Sequence, residues 1–245
     1  MRALFLVALV LTTPEAVLAQ GSRNFVPGEG YGEIASAVVT AAPLTMACWM
    51  HADTTVLQYA ISIGINLSIA NDYFQILGTV GPEQIVAQAA GAGFGTAFSS
   101  NNWTAGQWHY VGGAFHSASS RFAYLDGVRG PENTSAQTPA IGGFQATRIA
   151  RSATEPIWHT TDAQFAGCTI WDEALDQVEM NALSIGYLPE IVHPSGIVRN
   201  FRMQEPVKTD ALVDASGNGD MPVFDFSAGG KEPDPVADAP PIFYP

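Results

Sequence analysis

Hydrophobic and polar positions alternate along much of the chain, most clearly between residues 107 and 127. Trp108, Tyr110 and Gly112 share one face of an extended segment and the intervening residues share the other, which is the period of a β-strand. Residues 121–125 alternate again, and the following Asp126-Gly127 is a two-residue turn signal. This segment therefore predicts two antiparallel strands that end in a tight turn.

Short apolar runs bounded by Gly and Pro recur along the chain and predict further strands. They are Asn24–Val39, Leu44–His51, Leu57–Ile69, Tyr73–Val80, Gln84–Ala89, Phe144–Ala150, Gln164–Trp171 and Gly196–Met203. The Gly/Ala-rich run 90–98 fits either a strand or a loop. With 245 residues, 47% of them apolar, the chain is long enough for one large β-sandwich, and this strand spacing favours that class.

One helix is predicted in the C-terminal third. Asp176 and Glu179 have the spacing of a capping box, and Gly186 is placed to end the helix. We expect Val178, Ala182 and Leu183 to form its buried face.

The charge is strongly acidic and unevenly placed. The formal net charge is −13, and most of the acidic residues lie after residue 171. Such a surface repels phosphate backbones, so nucleic acid is excluded as a partner. We interpret the acidic C-terminal part as a solvated surface, with divalent-cation binding as the alternative.

The N-terminus has the pattern of a signal peptide at residues 1–19. A positive start at Arg2 precedes an apolar run from Leu4 to Leu11, which is too short to span a bilayer, and Ala19 suits cleavage. The alternative is a buried first strand. The predicted organisation is then a sandwich domain at 20–203 and an acidic Pro/Gly-rich tail at 204–245 packed on it. No segment predicts a membrane span.

Two cysteines, Cys48 and Cys168, lie in apolar strand-like runs. An exported protein permits one disulfide between them. Two buried free thiols that act as small hydrophobic residues are the other interpretation, and we favour them slightly.

Several segments together resemble the laminin G-like domains of the concanavalin A-like jelly rolls. They are the hairpin Trp108–Gly127, the strand Val38–Trp49, the run Ile149–Ser152 and the closing strand and helix Phe165–Pro189. His193-Pro194 and the final residues 240–245 resemble a subgroup common in tailed bacteriophages and marine metagenomes. The resemblance covers about residues 23–245 and implies an all-β, two-sheet jelly-roll sandwich with one short C-terminal helix.

Catalysis is not predicted. Some sandwiches of this kind are β-glucanases, which need two carboxylates facing one groove. The comparable run here is Glu173, Asp176 and Glu179, whose three-residue spacing on a capped helix indicates cap and surface residues. No G-x-S-x-G motif is present, and the five histidines have no ligand spacing. We expect His109 to be a structural strand residue.

Candidate binding residues are aromatic and polar side chains in loops, because sugar rings stack on exposed aromatic faces. Trp158 and His159 precede the penultimate strand, and Trp103 with Asn102 precedes the central hairpin. We expect Trp49, Trp108 and Trp171 to lie in the core. As candidate oxygen ligands for Ca²⁺, the one cofactor considered, the sequence offers Asp53, Asn71 and Asp72.

Two functions remain open. The first is a non-enzymatic module, exported or displayed on a particle surface, that binds a glycan or another surface polymer. The second is a virion structural or decoration subunit that contacts neighbouring virion or surface proteins and has no sugar site. The first predicts an exposed aromatic flanked by polar groups, and the second a large apolar patch. Both place the protein outside the cell, either secreted or on a virion surface.

Overall fold

The structure is a computed structural model, and it describes residues 22–26, 30–65, 72–140, 145–153, 162–205, 211–225 and 234–236. The predicted signal peptide and much of the predicted tail lie outside these ranges. The described residues form the following elements in chain order: β1 (Ser22–Phe25), β2 (Gly30–Ile34), β3 (Leu44–His51), β4 (Gln58–Ile65), β5 (Tyr73–Gly78), β6 (Gln84–Ala90), β7 (Phe94–Asn102), β8 (Trp108–Ser117), β9 (Ser120–Leu125), β10 (Val128–Arg129), β11 (Gln145–Ile149), β12 (Ala163–Trp171), α1 (Gln177–Ser184), α2 (Pro189–Val192), β13 (Ile197–Phe201), β14 (Val223–Asp225) and β15 (Asp234–Val236).

The strands form two antiparallel sheets, which confirms the predicted sandwich. Sheet I has the order β10-β9-β8-β3-β12-β1-β15, with β13 also paired to β12, and sheet II has the order β14-β2-β11-β4-β5-β6-β7. The ambiguous run 90–98 ends one strand and begins the next, with a turn at residues 91–93. Late in the chain, β14 and β15 extend the two sheets beyond the single strand predicted there.

The core lies between the inner faces of the two sheets. Phe74 of sheet II meets Phe115 of sheet I edge to face, with ring centroids 5.1 Å apart. Both rings are almost fully buried, and each contributes about 1.5–3 kcal/mol through the apolar surface it removes from water. Gly113 allows the sheets to approach, because a Cβ there would lie 2.7 Å from atoms of Ile76 and Ala87.

Helix α1 covers the outer face of sheet I. Met180 and Leu183 pack there against Trp49, Tyr110 and Trp171. Met180 packs closely on Gly112, since a Cβ there would lie too close to the terminal methyl group of Met180 and would move that side chain. Sheet I is therefore packed on both faces.

The predicted caps of α1 are confirmed, but its predicted buried face is wrong in part. The Asp176 carboxylate accepts from the Val178 and Glu179 amides, and Glu179 accepts the Asp176 amide in return. Gly186, at φ +98°, follows the last helical turn. Val178 is 74% exposed, and Met180 takes the buried position instead, because residues 180 and 183 are one turn apart on the side facing the sheet.

The predicted tight turn joins β9 to β10. Asp126 and Gly127 both have positive φ, as a type I′ turn requires. The Asp126 carboxylate accepts the Tyr110 amide and lies 2.8 Å from Nδ1 of His109. His109 is buried and stabilises this turn through its contact with Asp126, in agreement with the structural role predicted for it. Trp49 and Trp171 are buried as expected, whereas Trp108 is only partly buried.

The two cysteines form a disulfide, so the slight preference for free thiols was wrong. Strands β3 and β12 are neighbours, and an irregularity in their pairing between Ala166 and Thr169 places Cys168 opposite Cys48. Their Cα atoms are 4.2 Å apart. Apolar strand runs do not reveal which strands become neighbours, so the sequence left both interpretations open.

No helix within the described residues is both long and apolar enough to cross a bilayer.

Candidate functional site

Sheet II presents an outer face on which alternate residues of three neighbouring strands point away from the core. The pairing register aligns them into three rows across β5, β6 and β7. The rows are Tyr73–Ala90–Phe94, Gln75–Gln88–Thr96 and Leu77–Val86–Phe98. A polar middle row thus runs between two rows that carry aromatic and aliphatic side chains.

The middle row is a continuous hydrogen-bond chain. Gln75 Nε2 donates to Gln88 Oε1 at 2.8 Å, and Gln88 Nε2 donates to Thr96 Oγ1 at 3.1 Å. The Tyr73 hydroxyl also donates to Gln88 Oε1, at 2.9 Å. These bonds hold Gln88 in one orientation, so the chain is fixed before any ligand arrives.

The polar row continues across the sheet toward its other edge. Ser62 pairs with Gln75 in register, Arg148 pairs with Ser62, and Glu33 pairs with Arg148. Arg148 Nε lies 2.6 Å from Glu33 Oε2, and both side chains are largely buried. The ion pair leaves no net charge at this end of the row.

A short segment after β11 crosses the outer face of sheet II. Arg148 donates to the carbonyl groups of Ser152 and Ala153, and Ser62 donates to the carbonyl of Arg151. Ala153 packs against Tyr73 and Ala90. Residues 151–153 therefore form a wall on one side of the polar row.

The opposite wall is β7, the last strand of sheet II. Phe94 is 55% exposed and Phe98 is 43% exposed. Phe98 follows Phe94 by four positions on the same face, so their Cα atoms are about 13 Å apart along the strand. Between them lies Thr96, whose side chain is half-buried.

The two walls enclose an open groove of about 480 Å³. Among the described residues, its lining contains no Asp, Glu, Lys, Arg or His. The lining residues are Tyr59, Tyr73, Gln75, Leu77, Thr79, Val86, Gln88, Phe94, Thr96, Phe98 and Ser152.

The groove tyrosines remain neutral far above neutral pH. Burial, and then the nearby Tyr59, raise the pKa of Tyr73 to about 12. Burial also raises the pKa of Tyr59, against a hydrogen bond with Ser152 that lowers it. Both hydroxyl groups therefore act as hydrogen-bond donors and acceptors, and the described lining of the groove carries no ionised side chain near neutral pH.

Trp103 is not a stacking platform, which corrects the expectation for this residue. It is 1% exposed and belongs to the core, where its indole lies against Gly78. Asn102 is exposed at the end of β7 but does not line the groove. Asn102 therefore lies on the strand that borders the groove but outside the lining.

Trp158 and His159 lie outside the described residues, so their role stays a prediction. The flanking residues Ala153 and Asp162 are described. Ala153 packs on Tyr73, and the Asp162 amide donates to Gln58 Oε1 at the start of β4. The chain between them thus begins and ends next to sheet II.

The candidate calcium ligands Asp53 and Asp72 each contact a different part of the chain. Asp53 is exposed and lies 3.9 Å from His51, whereas Asp72 Oδ1 accepts the Ala140 amide at 2.8 Å. Asn71 lies outside the described residues. No cluster of three or more His, Cys, Asp or Glu side chains suited to a metal occurs in the described part of the chain. Calcium ligation by these residues stays a prediction.

The carboxylates of Glu173, Asp176 and Glu179 all have structural roles around helix α1. Asp176 caps α1, and the other two carboxylates flank His193 at 2.8 and 2.6 Å. Burial of His193 lowers its pKa, but the two hydrogen-bonded glutamates outweigh this effect and raise it above 6.5. The cluster joins α1 to the chain on either side of it.

The groove residues were missed by sequence reasoning, although a signal was present. The signal is a polar residue at an outward-facing position of each alternating strand. These residues are Gln75, Gln88 and Thr96. Only the strand register shows that these three positions align, and register depends on pairings that a single sequence does not give.

Comparison with known proteins supports the architecture. A family model for the concanavalin A-like lectin/glucanases superfamily matches residues 27–181. No curated protein sequence matches the chain significantly.

Three solved structures illustrate the similarity. A heptameric SAP-like pentraxin from Limulus polyphemus has a TM-score of 0.59 at 13% identity and covers 87% of this chain and 97% of its own. A Bacteroides ovatus protein provisionally assigned to carbohydrate binding has a TM-score of 0.65 at 12% identity. The match covers 91% of this chain and 61% of that protein. Domain 4 of an extracellular arabinanase from Geobacillus stearothermophilus, solved with arabinotriose, has a TM-score of 0.51 at 12% identity. The match covers 66% of this chain and 76% of that domain. At these identities the likeness shows the fold alone, while the family match extends over more than half of the chain. The chain therefore belongs to the concanavalin A-like lectin/glucanases superfamily.

Proposed function

We propose that this protein is an exported, non-enzymatic module that binds a glycan in the groove on the outer face of sheet II. The observation that carries the proposal is the fixed row Gln75–Gln88–Thr96 next to the exposed rings of Phe94 and Phe98. Amides and hydroxyls match sugar hydroxyl groups, and exposed aromatic rings match the apolar faces of sugar rings.

A binding role is favoured over catalysis by the chemistry of the groove. Glycoside hydrolysis needs an acid and a second carboxylate on either side of the scissile bond. The described lining offers only amides, hydroxyls and apolar groups. These groups hold and orient a sugar, but the described lining has no pair of carboxyl groups to act on a glycosidic bond.

Export is supported by the signal-peptide pattern of residues 1–19 and by the disulfide between Cys48 and Cys168, a bond that persists in oxidising compartments. We extend the groove proposal to Trp158 and His159, because their segment starts after Ala153, which packs on Tyr73, and ends before Asp162, which bonds to Gln58 of sheet II.

A second candidate function, assembly with neighbouring proteins, is favoured by exposed apolar side chains near the helices. Val178, Ile185, Tyr187 and Ile191 are each about half exposed or more. Light scattering on the purified protein tests this candidate. Self-association that is lost in Val178→Asp supports it, and a monomer at all concentrations argues against self-assembly.

The glycan proposal is tested by affinity electrophoresis in gels that contain a panel of polysaccharides. Phe94→Ala should weaken retardation by about tenfold or more, as expected for an aromatic anchor. Val178→Ala is the matched control, because it shortens an exposed apolar side chain on helix α1, which covers the other sheet, and it should bind like the wild type. A folded wild-type protein that no polysaccharide retards would refute the proposal.

A further inference from the structure

Building on the proposed function, we infer that the groove selects an uncharged glycan, whose hydroxyl groups complete the Gln75–Gln88–Thr96 chain, and that it binds without a metal ion. The inference concerns the class of ligand. It rests on the hydrogen-bonding capacity left over in the groove and on the charges around it.

The groove has unused capacity for both donors and acceptors. Thr96 Oγ1 accepts from Gln88, which leaves its own proton available, and the Tyr73 hydroxyl donates, which leaves its oxygen able to accept. The site therefore needs a ligand that both gives and takes hydrogen bonds.

This requirement separates sugar hydroxyls from anionic groups. Hydroxyl groups both donate and accept, so separate hydroxyls of one sugar can donate to the Tyr73 oxygen and accept the Thr96 proton. Carboxylate and sulfate groups only accept, so they leave the Tyr73 oxygen without a donor. The free groups of the chain are thus complementary to a polyol.

Charge points to the same class of ligand. An anion that enters a groove loses hydration and needs a cation there to replace it. Among the described lining residues there is none, and the nearby Arg148 is buried against Glu33. The whole chain also carries −13, which repels anionic polymers.

Metal-independent binding follows from the ligands that the groove can offer. Calcium takes most of its protein ligands from carboxylates, together with carbonyl and amide oxygens. The described lining has no carboxylate, and Gln88 Oε1 already accepts two hydrogen bonds. The side-chain amides of the groove therefore bond to each other and to the glycan, and they do not serve as calcium ligands.

The test compares neutral and anionic polysaccharides in the same affinity gels, with calcium and with a chelator. We expect neutral β-glucans, arabinans or galactomannans to retard the protein equally in both conditions, while alginate and heparin do not. Thr96→Val, which is nearly isosteric, should weaken neutral-glycan binding by about tenfold, and Gln75→Leu by at least as much. Val178→Ala should leave it unchanged.

The outcomes separate this inference from the proposed function. Binding to anionic polymers alone, or binding lost in the chelator, would overturn the inference and leave a glycan-binding module. Neutral binding that Thr96→Val leaves intact would also overturn it, because that variant removes a group of the chain without loss of volume. No binding to any polysaccharide would overturn both. If Gln75→Leu fails to fold, Thr96→Val decides alone.

Discussion

Gln75 Nε2 donates to Gln88 Oε1 at 2.8 Å across strands β5 and β6. The same oxygen accepts from Tyr73, so one amide orients two neighbours on the groove floor. Helix α1 packs over the outer face of sheet I, whereas no helix of the described residues covers the groove on sheet II. This asymmetry between the sheets is why we place the ligand on sheet II.

The variant Gln88→Leu tests whether this arrangement matters for binding. It leaves the Tyr73 hydroxyl and the Gln75 amide without their acceptor, which should lower the unfolding free energy by about 1–3 kcal/mol. Glycan affinity, measured by calorimetry, should fall by about tenfold or more. Gln177→Leu is the control, since it removes an amide on helix α1 that bonds to the Gly127 carbonyl and the Arg129 amide and does not line the groove. Equal affinities for the two variants would contradict the prediction.

Trp158→Ala tests the proposed contribution of the segment between Ala153 and Asp162. We expect a loss of affinity of about tenfold with little change in the melting temperature, as for an aromatic ring that contacts ligand more than core. Tyr187→Ala is a suitable comparison, because Tyr187 is 49% exposed near α1. An unchanged affinity in Trp158→Ala would restrict the site to the sheet face.

The sequence predicts those features that depend on neighbouring residues. The Asp126-Gly127 turn and the Asp176–Glu179 capping box are local, because a few consecutive residues determine the backbone geometry. The strand alternation and the sandwich also follow from local patterns.

The features that the sequence missed depend on distant pairings. Gln75 and Gln88 become neighbours only through the register of β5 with β6, and Cys48 meets Cys168 across 120 positions. The position of Trp103 before the central hairpin suggested a loop, but long-range packing buries its side chain in the core. Register and long-range contacts are set by the packed core as a whole, which a single sequence does not display.

The disulfide should contribute substantially to stability, because it links strands 120 positions apart. We expect the double variant Cys48→Ala/Cys168→Ala to lose about 2–5 kcal/mol in urea unfolding. Reductant should destabilise the wild type and leave the double variant unchanged. Two reactive thiols in the denatured, unreduced wild type would contradict the bond.

His193 should make stability depend on pH. Burial lowers its pKa, but hydrogen bonds with Glu173 and Glu179 outweigh this and raise it above 6.5. The contribution is therefore fully present below about pH 6.5 and is lost as the pH rises through the folded-state pKa. Melting curves at about pH 5.5 and about pH 8.5 should show a larger stability difference between wild type and His193→Gln at the lower pH. A difference that is equal at both pH values, or larger at the higher one, would contradict this role.

The most direct test of the central claim is a map of backbone amide chemical shifts during titration with a neutral oligosaccharide. The groove account predicts that perturbed amides concentrate in residues 73–78, 84–90 and 94–98 and around 151–153. The strands and helices of sheet I should change little. Perturbations centred on α1 and α2, with those three strands unaffected, would contradict a glycan site on sheet II.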